Sequence, residues 1–212
     1  MELWNEIIVK KSYEVLNKLK KEIDFVIIGG WASWLYTKTL KSKDIDMYVN
    51  FKDFFNFQNI LANKGIFISL NRKLKKYEAK IEGVDIDIYT PHNCNLIVSC
   101  KDVFSKKWFK KVDGFKVILP EVFLVLKLKA EEERMKTIKG FKDRVDILAM
   151  LYKLDLDKKF LLELEKKYNM DIRKRISKII RESNEEFNYF FSDFKNLRAL
   201  KKLKLELRRK IS

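Results

Sequence analysis

The chain has 212 residues, 47% hydrophobic and 36% charged, a composition typical of a globular protein with a sizeable core. Its formal net charge of +16 favours a polyanionic partner such as nucleic acid, although a Lys-rich proteome is an alternative explanation. No apolar run approaches about 18 residues, so we expect no membrane span. The N-terminal segment is charged throughout, so we expect no signal peptide and a cytoplasmic location.

The first half of the sequence alternates helix-like and strand-like segments. Residues 2–22 predict an amphipathic helix, "DFVIIGG" a buried strand that ends in a tight turn, and "ASWLYTKTL" a helix. "DIDMYVN" predicts a strand with both acids on one face, and "DFFNFQNILANKG" a helix with Gly65 at its C-cap. "IFISLNRKL", "KYEAKIEG" and "VDIDIYTP" predict three further strands, with Gly83 in a hairpin turn.

From Pro120 onward the sequence is helix-like nearly throughout, and "NEEFNYFFSDFKNLRALKKLKLELRRK" predicts one long final helix. We therefore predict an α/β domain over residues 1–120 and an all-α, basic helical domain over residues 121–212. Residues 158–212 hold 17 basic and 8 acidic side chains, so +9 of the net charge of +16 lies in this segment.

Gly29 and Gly30 follow the first predicted strand. Glycines allow the backbone to turn tightly into a helix, and a helix N-terminus with free N–H groups suits a phosphate. Ser33 could add a hydroxyl donor in the first turn of that helix. This segment is therefore a candidate phosphate-binding turn.

Carboxylates follow on two of the predicted strands. Asp44 and Asp46 share one strand face, and neighbouring carboxylates repel each other unless a cation lies between them. Mg²⁺ fits that place because it takes hard oxygen ligands and joins carboxylates to phosphates. Asp85 and Asp87 also share a strand face, and either could supply a third carboxylate for a two-metal displacement at phosphorus.

In order and spacing, "IIGGWAS", "KDIDMYV" and "VDIDIYT" resemble the signature of the nucleotidyltransferase superfamily of the DNA polymerase β type. "LPEVFLVLKLKA" followed by "KGFKDRVDILAML" looks like the segment after the catalytic half in abortive-infection, toxin-like nucleotidyltransferases. The resemblance covers residues 23 to about 151. It implies an α/β (α+β) nucleotidyltransferase fold, a short mixed sheet flanked by helices, with a helical domain after it.

The resemblance also implies a reaction, the transfer of a nucleoside monophosphate from an NTP to an acceptor with release of pyrophosphate. Asp44 and Asp46 would hold two Mg²⁺ ions, and a third acid would share one ion and help to deprotonate the acceptor. We favour Asp87 for that place because the family's third acid usually sits late in its strand, which leaves Asp85 as the alternative.

Further residues have less specific implied roles. Gly29, Gly30 and Ser33 would bind the β- and γ-phosphates. Lys127 would neutralise charge on phosphate. The alternative is that Lys127 lies on an amphipathic helix and extends its ammonium to solvent. Lys142 begins the Lys-Asp-x-x-Asp stretch whose acids, Asp143 and Asp146, we interpret as paired surface charges, and Lys38 with Thr37 could touch the sugar.

The charge of the C-terminal helices bears on the choice of acceptor. The basic C-terminal helices favour RNA, with tRNA the leading candidate by analogy to toxin-like relatives, and such relatives imply an antitoxin or a homodimer as a further partner. A protein hydroxyl or a small molecule such as an aminoglycoside is the alternative acceptor. A non-catalytic nucleotide- or RNA-binding module is the alternative from a different functional class.

Overall fold

The structure is a computed structural model that describes residues 6–211, so the predicted helical residues 2–5 lie outside it. The chain divides into two compact units. The first comprises Met1–Leu35 and Lys41–Leu119, and the second comprises Tyr36–Leu40 and Pro120–Ser212.

A seven-stranded mixed sheet forms the centre of the first unit. Its strands are β1 (Val26–Ile28), β2 (Ile45–Tyr48), β3 (Ser69–Asn71), β4 (Lys76–Ile81), β5 (Val84–Tyr89), β6 (Phe109–Val112) and β7 (Phe115–Ile118). The strand order is β3-β4-β5-β2-β1-β7-β6, with β2 parallel to β5, β1 parallel to β7 and the other pairs antiparallel. The predicted mixed sheet is confirmed.

Four helices accompany this sheet among the described residues: α1 (Glu6–Glu22), α2 (Gly29–Thr37), α3 (Phe51–Asn63) and α4 (Cys100–Ser105). The Asn50 side chain accepts a hydrogen bond from the Asp53 backbone N–H at 3.0 Å, which fixes the start of α3. Gly65 has a φ of +70° just after that helix, as the C-cap prediction requires. The short helix α4 and the β6–β7 hairpin are absent from our predictions.

Alternation along the central strands places the acids. On β2, Ile45 and Met47 are fully buried, and on β5, Ile86 and Ile88 are fully buried. Successive side chains on a strand point to opposite faces. The aspartates between these hydrophobic residues therefore lie on the other face of the sheet, as the sequence predicts.

The second unit is helical. It contains α5 (Pro120–Arg134), α6 (Ile138–Lys153), α7 (Lys158–Tyr168), α8 (Ile172–Glu182), a 3₁₀ helix (Glu185–Tyr189) and α9 (Leu197–Ile211). Helix α8 packs on α9, and α5 packs on α6. No helix within residues 6–211 is long and apolar enough to cross a lipid bilayer.

The prediction of one long final helix is wrong. The 3₁₀ helix ends at Tyr189 and α9 begins only at Leu197. Asn196 stops any continuous helix, because its side chain accepts hydrogen bonds from the backbone N–H groups of Arg198 and Ala199 at 3.0 and 3.2 Å. Phe187 is fully buried, so packing of this aromatic segment also opposes the helical path.

Candidate active site

Gly29 joins β1 to α2 with its backbone directly against a carboxylate. Its φ is +65°, and a Cβ added to it would lie 2.1 Å from Asp46 Oδ2 and 2.9 Å from Asp46 Cβ. Antiparallel pairing of Ile28 with Asp46 creates this approach. A side chain at position 29 would therefore be strained, for both steric and conformational reasons.

The two aspartates predicted to share a site are neighbours across the sheet. Asp46 on β2 pairs in register with Asp87 on the parallel strand β5. Asp44, which immediately precedes β2, is near enough for its charge to raise the pKa of Asp87. The sheet thus brings Gly29, Asp44, Asp46 and Asp87 to one region of its surface.

Asp85 lies in a different environment from Asp87. Its side chain is 61% exposed and forms an ion pair of 3.3 Å with the equally exposed Lys80 across the β4–β5 hairpin. Asp87 has a side chain only 26% exposed. Of these two acids, only Asp87 is the in-register partner of Asp46.

A buried lysine that our predictions do not include contacts Asp87. The Lys76 ammonium on β4 lies 2.6 Å from Asp87 Oδ2 and 3.0 Å from Glu78 Oε1, and the residue is only 9% exposed. The sequence carries a signal for it. Glu82 and Gly83, both with positive φ, form a two-residue turn that sets the register of β4 against β5. In that register Glu78 pairs with Asp87, and Lys76, two residues before Glu78, lies on the same face of the sheet.

The pKa values of this ion pair follow from burial and neighbouring charges. Burial, together with the charges of Glu78 and Asp44, raises the pKa of Asp87 above its ordinary value, although the Lys76 ammonium acts to lower it. Burial alone would lower the pKa of Lys76, but its hydrogen bonds to Asp87 and Glu78 raise it above the ordinary lysine value. The ammonium is therefore a stable positive charge beside Asp87.

Gly30 and Ser33, two further residues predicted to bind phosphate, lie in α2. Gly30 is buried, and Ser33 is fully buried within the helix. A bound phosphate could reach the Ser33 hydroxyl only if the helix or its surroundings moved. The backbone at the start of α2 is the more accessible part of the predicted phosphate site.

Lys38, Lys127 and Lys142 belong to the second unit. Lys38 is exposed and has a positive φ of 56° just after α2, whereas Lys142 is 7% exposed on α6. The Lys127 ammonium lies 2.9 Å from Asp143 Oδ1 and 2.6 Å from Asp146 Oδ2. These contacts already use two of its three N–H donors.

The structure corrects two of our interpretations in this cluster. Asp143 and Asp146 are 1% and 0% exposed, so they are not paired surface charges. Lys127 is 6% exposed, so its ammonium does not reach solvent. Both acids lie where α6 packs on α5, and burial there requires a partner charge.

The carboxylates of Asp44, Asp46 and Asp87 are the donors that a hard divalent cation takes, and the close approach of Gly29 leaves backbone rather than a side chain beside them. In residues 6–211, however, no three His, Cys, Asp or Glu side chains form a ready metal-binding group. The carboxylates of Asp44 and Asp46 have the donor chemistry that suits Mg²⁺, whereas Asp87 forms an ion pair with Lys76.

Comparisons with known proteins agree with this architecture. No protein-family model and no curated protein sequence matches the chain. Among solved structures, ANT(2'')-Ia in complex with adenylyl-2''-tobramycin matches with a TM-score of 0.52 and 13% identity, over 76% of this chain and 96% of that one. The Megavirus polyadenylate synthase matches with a TM-score of 0.50 and 16% identity, over 82% of this chain and 40% of that one. An antigenic nucleotidyltransferase-like protein from Paracoccidioides brasiliensis matches with a TM-score of 0.47 and 17% identity, over 80% of this chain and 91% of that one.

The chain has the nucleotidyltransferase fold. The predicted resemblance is confirmed at the level of fold, and identities this low show the fold alone. Within the nucleotidyltransferase fold of this chain, the glycine turn and the carboxylates of β2 and β5 are adjacent.

Proposed function

We propose that this protein is a nucleotidyltransferase that moves a nucleoside monophosphate from an NTP to an acceptor and releases pyrophosphate. The observation that carries the proposal is the convergence of Gly29, Asp46 and Asp87. The turn at Gly29 lies against the Asp46 carboxylate, and Asp87 pairs with Asp46 on the neighbouring strand. A turn without side chains lets a triphosphate approach the backbone, and neighbouring acids suit a cation beside that phosphate.

In this proposal each residue has a definite task. Asp44 and Asp46 hold Mg²⁺, which when bound offsets the charge of the triphosphate and stabilises the charge that develops during displacement at phosphorus. Backbone N–H groups at Gly29 and Gly30, at the start of α2, bind phosphate oxygens. Asp87 accepts the proton of the acceptor hydroxyl, and its partial burial strengthens it as a base.

We propose RNA as the acceptor, because the second unit presents a positively charged helix face. Lys174, Lys178 and Arg181 are exposed on α8 at spacings of four and three residues, which places them on one side of the helix. Lys174 and Lys178 have no carboxylate partner within residues 6–211. Exposed, unpaired cations in a row attract the phosphates of a nucleic acid.

A small-molecule acceptor is the second candidate. The bound compound of ANT(2'')-Ia, adenylyl-2''-tobramycin, is a small molecule that carries an adenylyl group. The name of the Megavirus polyadenylate synthase instead denotes a polynucleotide product. The fold accommodates both acceptor types, so the choice for this chain rests on its own charge distribution.

The test is incubation of the purified protein with each α-³²P-labelled NTP, Mg²⁺ and total RNA, and separately with aminoglycosides, with Asp46→Ala as the control. We expect label on an RNA species, lost in Asp46→Ala. Label on a small molecule or on protein would replace RNA as the acceptor. No label in any mixture, together with unaltered NTP binding in Asp46→Ala, would indicate a non-catalytic binding module.

A further inference from the structure

Lys76 places a positive charge beside Asp87, one of the acids of the candidate site. Its ammonium contacts Asp87 at 2.6 Å and Glu78 at 3.0 Å, and its side chain is only 11% exposed. Glu78 is itself held by Asn71, whose amide donates to Glu78 Oε1 at 3.1 Å. Two carboxylates therefore anchor the ammonium in position.

A lysine in this position competes with a metal ion. Its charge is tethered to the strand next to Asp87, whereas a divalent ion must bind from solution and lose part of its hydration shell. Displacing the ammonium from Asp87 would leave a nearly buried positive charge with Glu78 as its one remaining carboxylate partner within residues 6–211, which is costly. Asp44 and Asp46, at the start of β2 on the far side of β5, make no hydrogen bond or ion pair with Lys76 among the described residues.

We propose that the Lys76 ammonium takes the place of a second divalent ion at Asp87, so that the site binds one Mg²⁺, on Asp44 and Asp46. This inference rests on the proposed function and departs from the two-ion arrangement that the sequence resemblance implies. Lys76 is then a positioning residue, which keeps Asp87 oriented and metal-free so that it can accept a proton.

The test counts bound ions, using Mn²⁺ alone and electron paramagnetic resonance of the unbound ion. The wild-type protein should bind one Mn²⁺ per chain, and Lys76→Met should bind two. Lys80→Met, which removes the exposed lysine of the neighbouring Lys80–Asp85 pair, is the matched control and should still bind one. Lys76→Arg keeps the charge and should also bind one.

Each other outcome has a distinct meaning. Two Mn²⁺ ions on the wild-type protein, or one on folded Lys76→Met, would overturn the inference and leave the proposed function intact. No Mn²⁺ on any of these proteins would overturn the inference and the metal role of Asp44 and Asp46 together. If Lys76→Met does not fold, Lys76→Gln carries the same expectation, and the wild-type count alone still decides against two ions.

Discussion

At the scale of single residues, the contact between Gly29 and Asp46 links the fold to the proposed chemistry. The positive φ of Gly29 strains any other residue, and an added Cβ would collide with the Asp46 carboxylate. Any substitution must therefore move either the turn or the carboxylate. Stability and transfer activity should respond together at this position.

Gly29→Ala tests that coupling. A left-handed conformation costs a non-glycine residue on the order of 1–3 kcal/mol, and the clash adds to it. We expect a loss of unfolding free energy above about 2 kcal/mol, measured in urea, with transfer activity lowered because Asp46 is displaced. Gly65→Ala is the matched control, because Gly65 has a similar φ of +70° but no atom within 4 Å of an added Cβ.

Gly65→Ala should lose only the conformational part of the stability and retain full activity. Equal activity in the two alanine variants would show that the approach of Gly29 to Asp46 has no bearing on transfer.

At the scale of elements, a buried ionic cluster joins α5 to α6. Lys127 contacts Asp143 and Asp146, and Arg134 Nε donates to Asp143 Oδ2 at 2.6 Å. Removing one partner of a buried ion pair leaves an uncompensated charge, which costs about 3–5 kcal/mol. The cluster should therefore be sensitive to single substitutions.

Lys127→Met should lower the free energy of unfolding by about 3–5 kcal/mol, since it leaves two buried carboxylates without their shared cation. Lys129→Met, which removes the exposed cation of the Lys129–Glu132 pair, is the matched control and should change it by less than about 1 kcal/mol. Urea denaturation measures both. A loss of NTP affinity without a loss of stability would instead support the phosphate-binding role that the resemblance implies for Lys127.

The same cluster predicts a response to acid. Burial alone would raise the pKa of Asp143, but the charges of Lys127 and Arg134 lower it below its ordinary value. A lowered folded-state pKa contributes stability above the unfolded-state value of about 3.9, and that stability is lost as the pH falls toward the folded-state pKa. Thermal melts below about pH 4 should therefore show a steeper acid-induced loss in the wild type than in Asp143→Asn. Parallel pH profiles would contradict the lowered pKa.

Sequence patterns predicted the elements in which local and tertiary preferences agree. Strict alternation of acids and hydrophobic residues marked β2 and β5, whose Ile and Met side chains are buried. The β6–β7 hairpin was missed although Asp113 and Gly114, both with positive φ, give a recognisable two-residue turn signal. The break before α9 was missed because Asn196 capping and Phe187 burial oppose a pattern that is helical by itself.

The same distinction applies to the candidate site. Gly29, Asp44 and Asp46 are close in sequence, and their motif spacing predicts that they meet. The ionic partners of Asp87 depend instead on the register of β4 against β5, which the turn at Glu82 and Gly83 sets and our predictions did not use. The motif alone suggested phosphate binding for Lys127. The burial of its ammonium depends on how α6 packs on α5, which the motif does not show.

At the scale of the whole molecule, the net charge of +16 predicts salt-sensitive binding of a polyanion. The α8 face is where we expect contact. The double variant Lys174→Gln/Lys178→Gln should weaken RNA binding. It should also lower the magnitude of the slope of log affinity against log salt by roughly 1.5, since each lost phosphate contact reduces that slope by about 0.7–0.9. NTP binding should be unchanged.

Lys10→Gln/Lys11→Gln removes the same charge from exposed positions on α1 and serves as the control. Its salt slope should match that of the wild type. Equal effects of the two double variants would show that overall charge, rather than the α8 face, attracts RNA.

The most direct test of the account compares the two acids of β5 in the labelled-NTP assay. Asp87→Asn should slow transfer by about 10²–10⁴-fold, the range expected on loss of a general base, because Asp87 lies across from Asp46. Asp85→Asn should retain near wild-type transfer, because Asp85 is 61% exposed and paired with Lys80. Full activity in Asp87→Asn, or an equal loss in both variants, would contradict the proposed site.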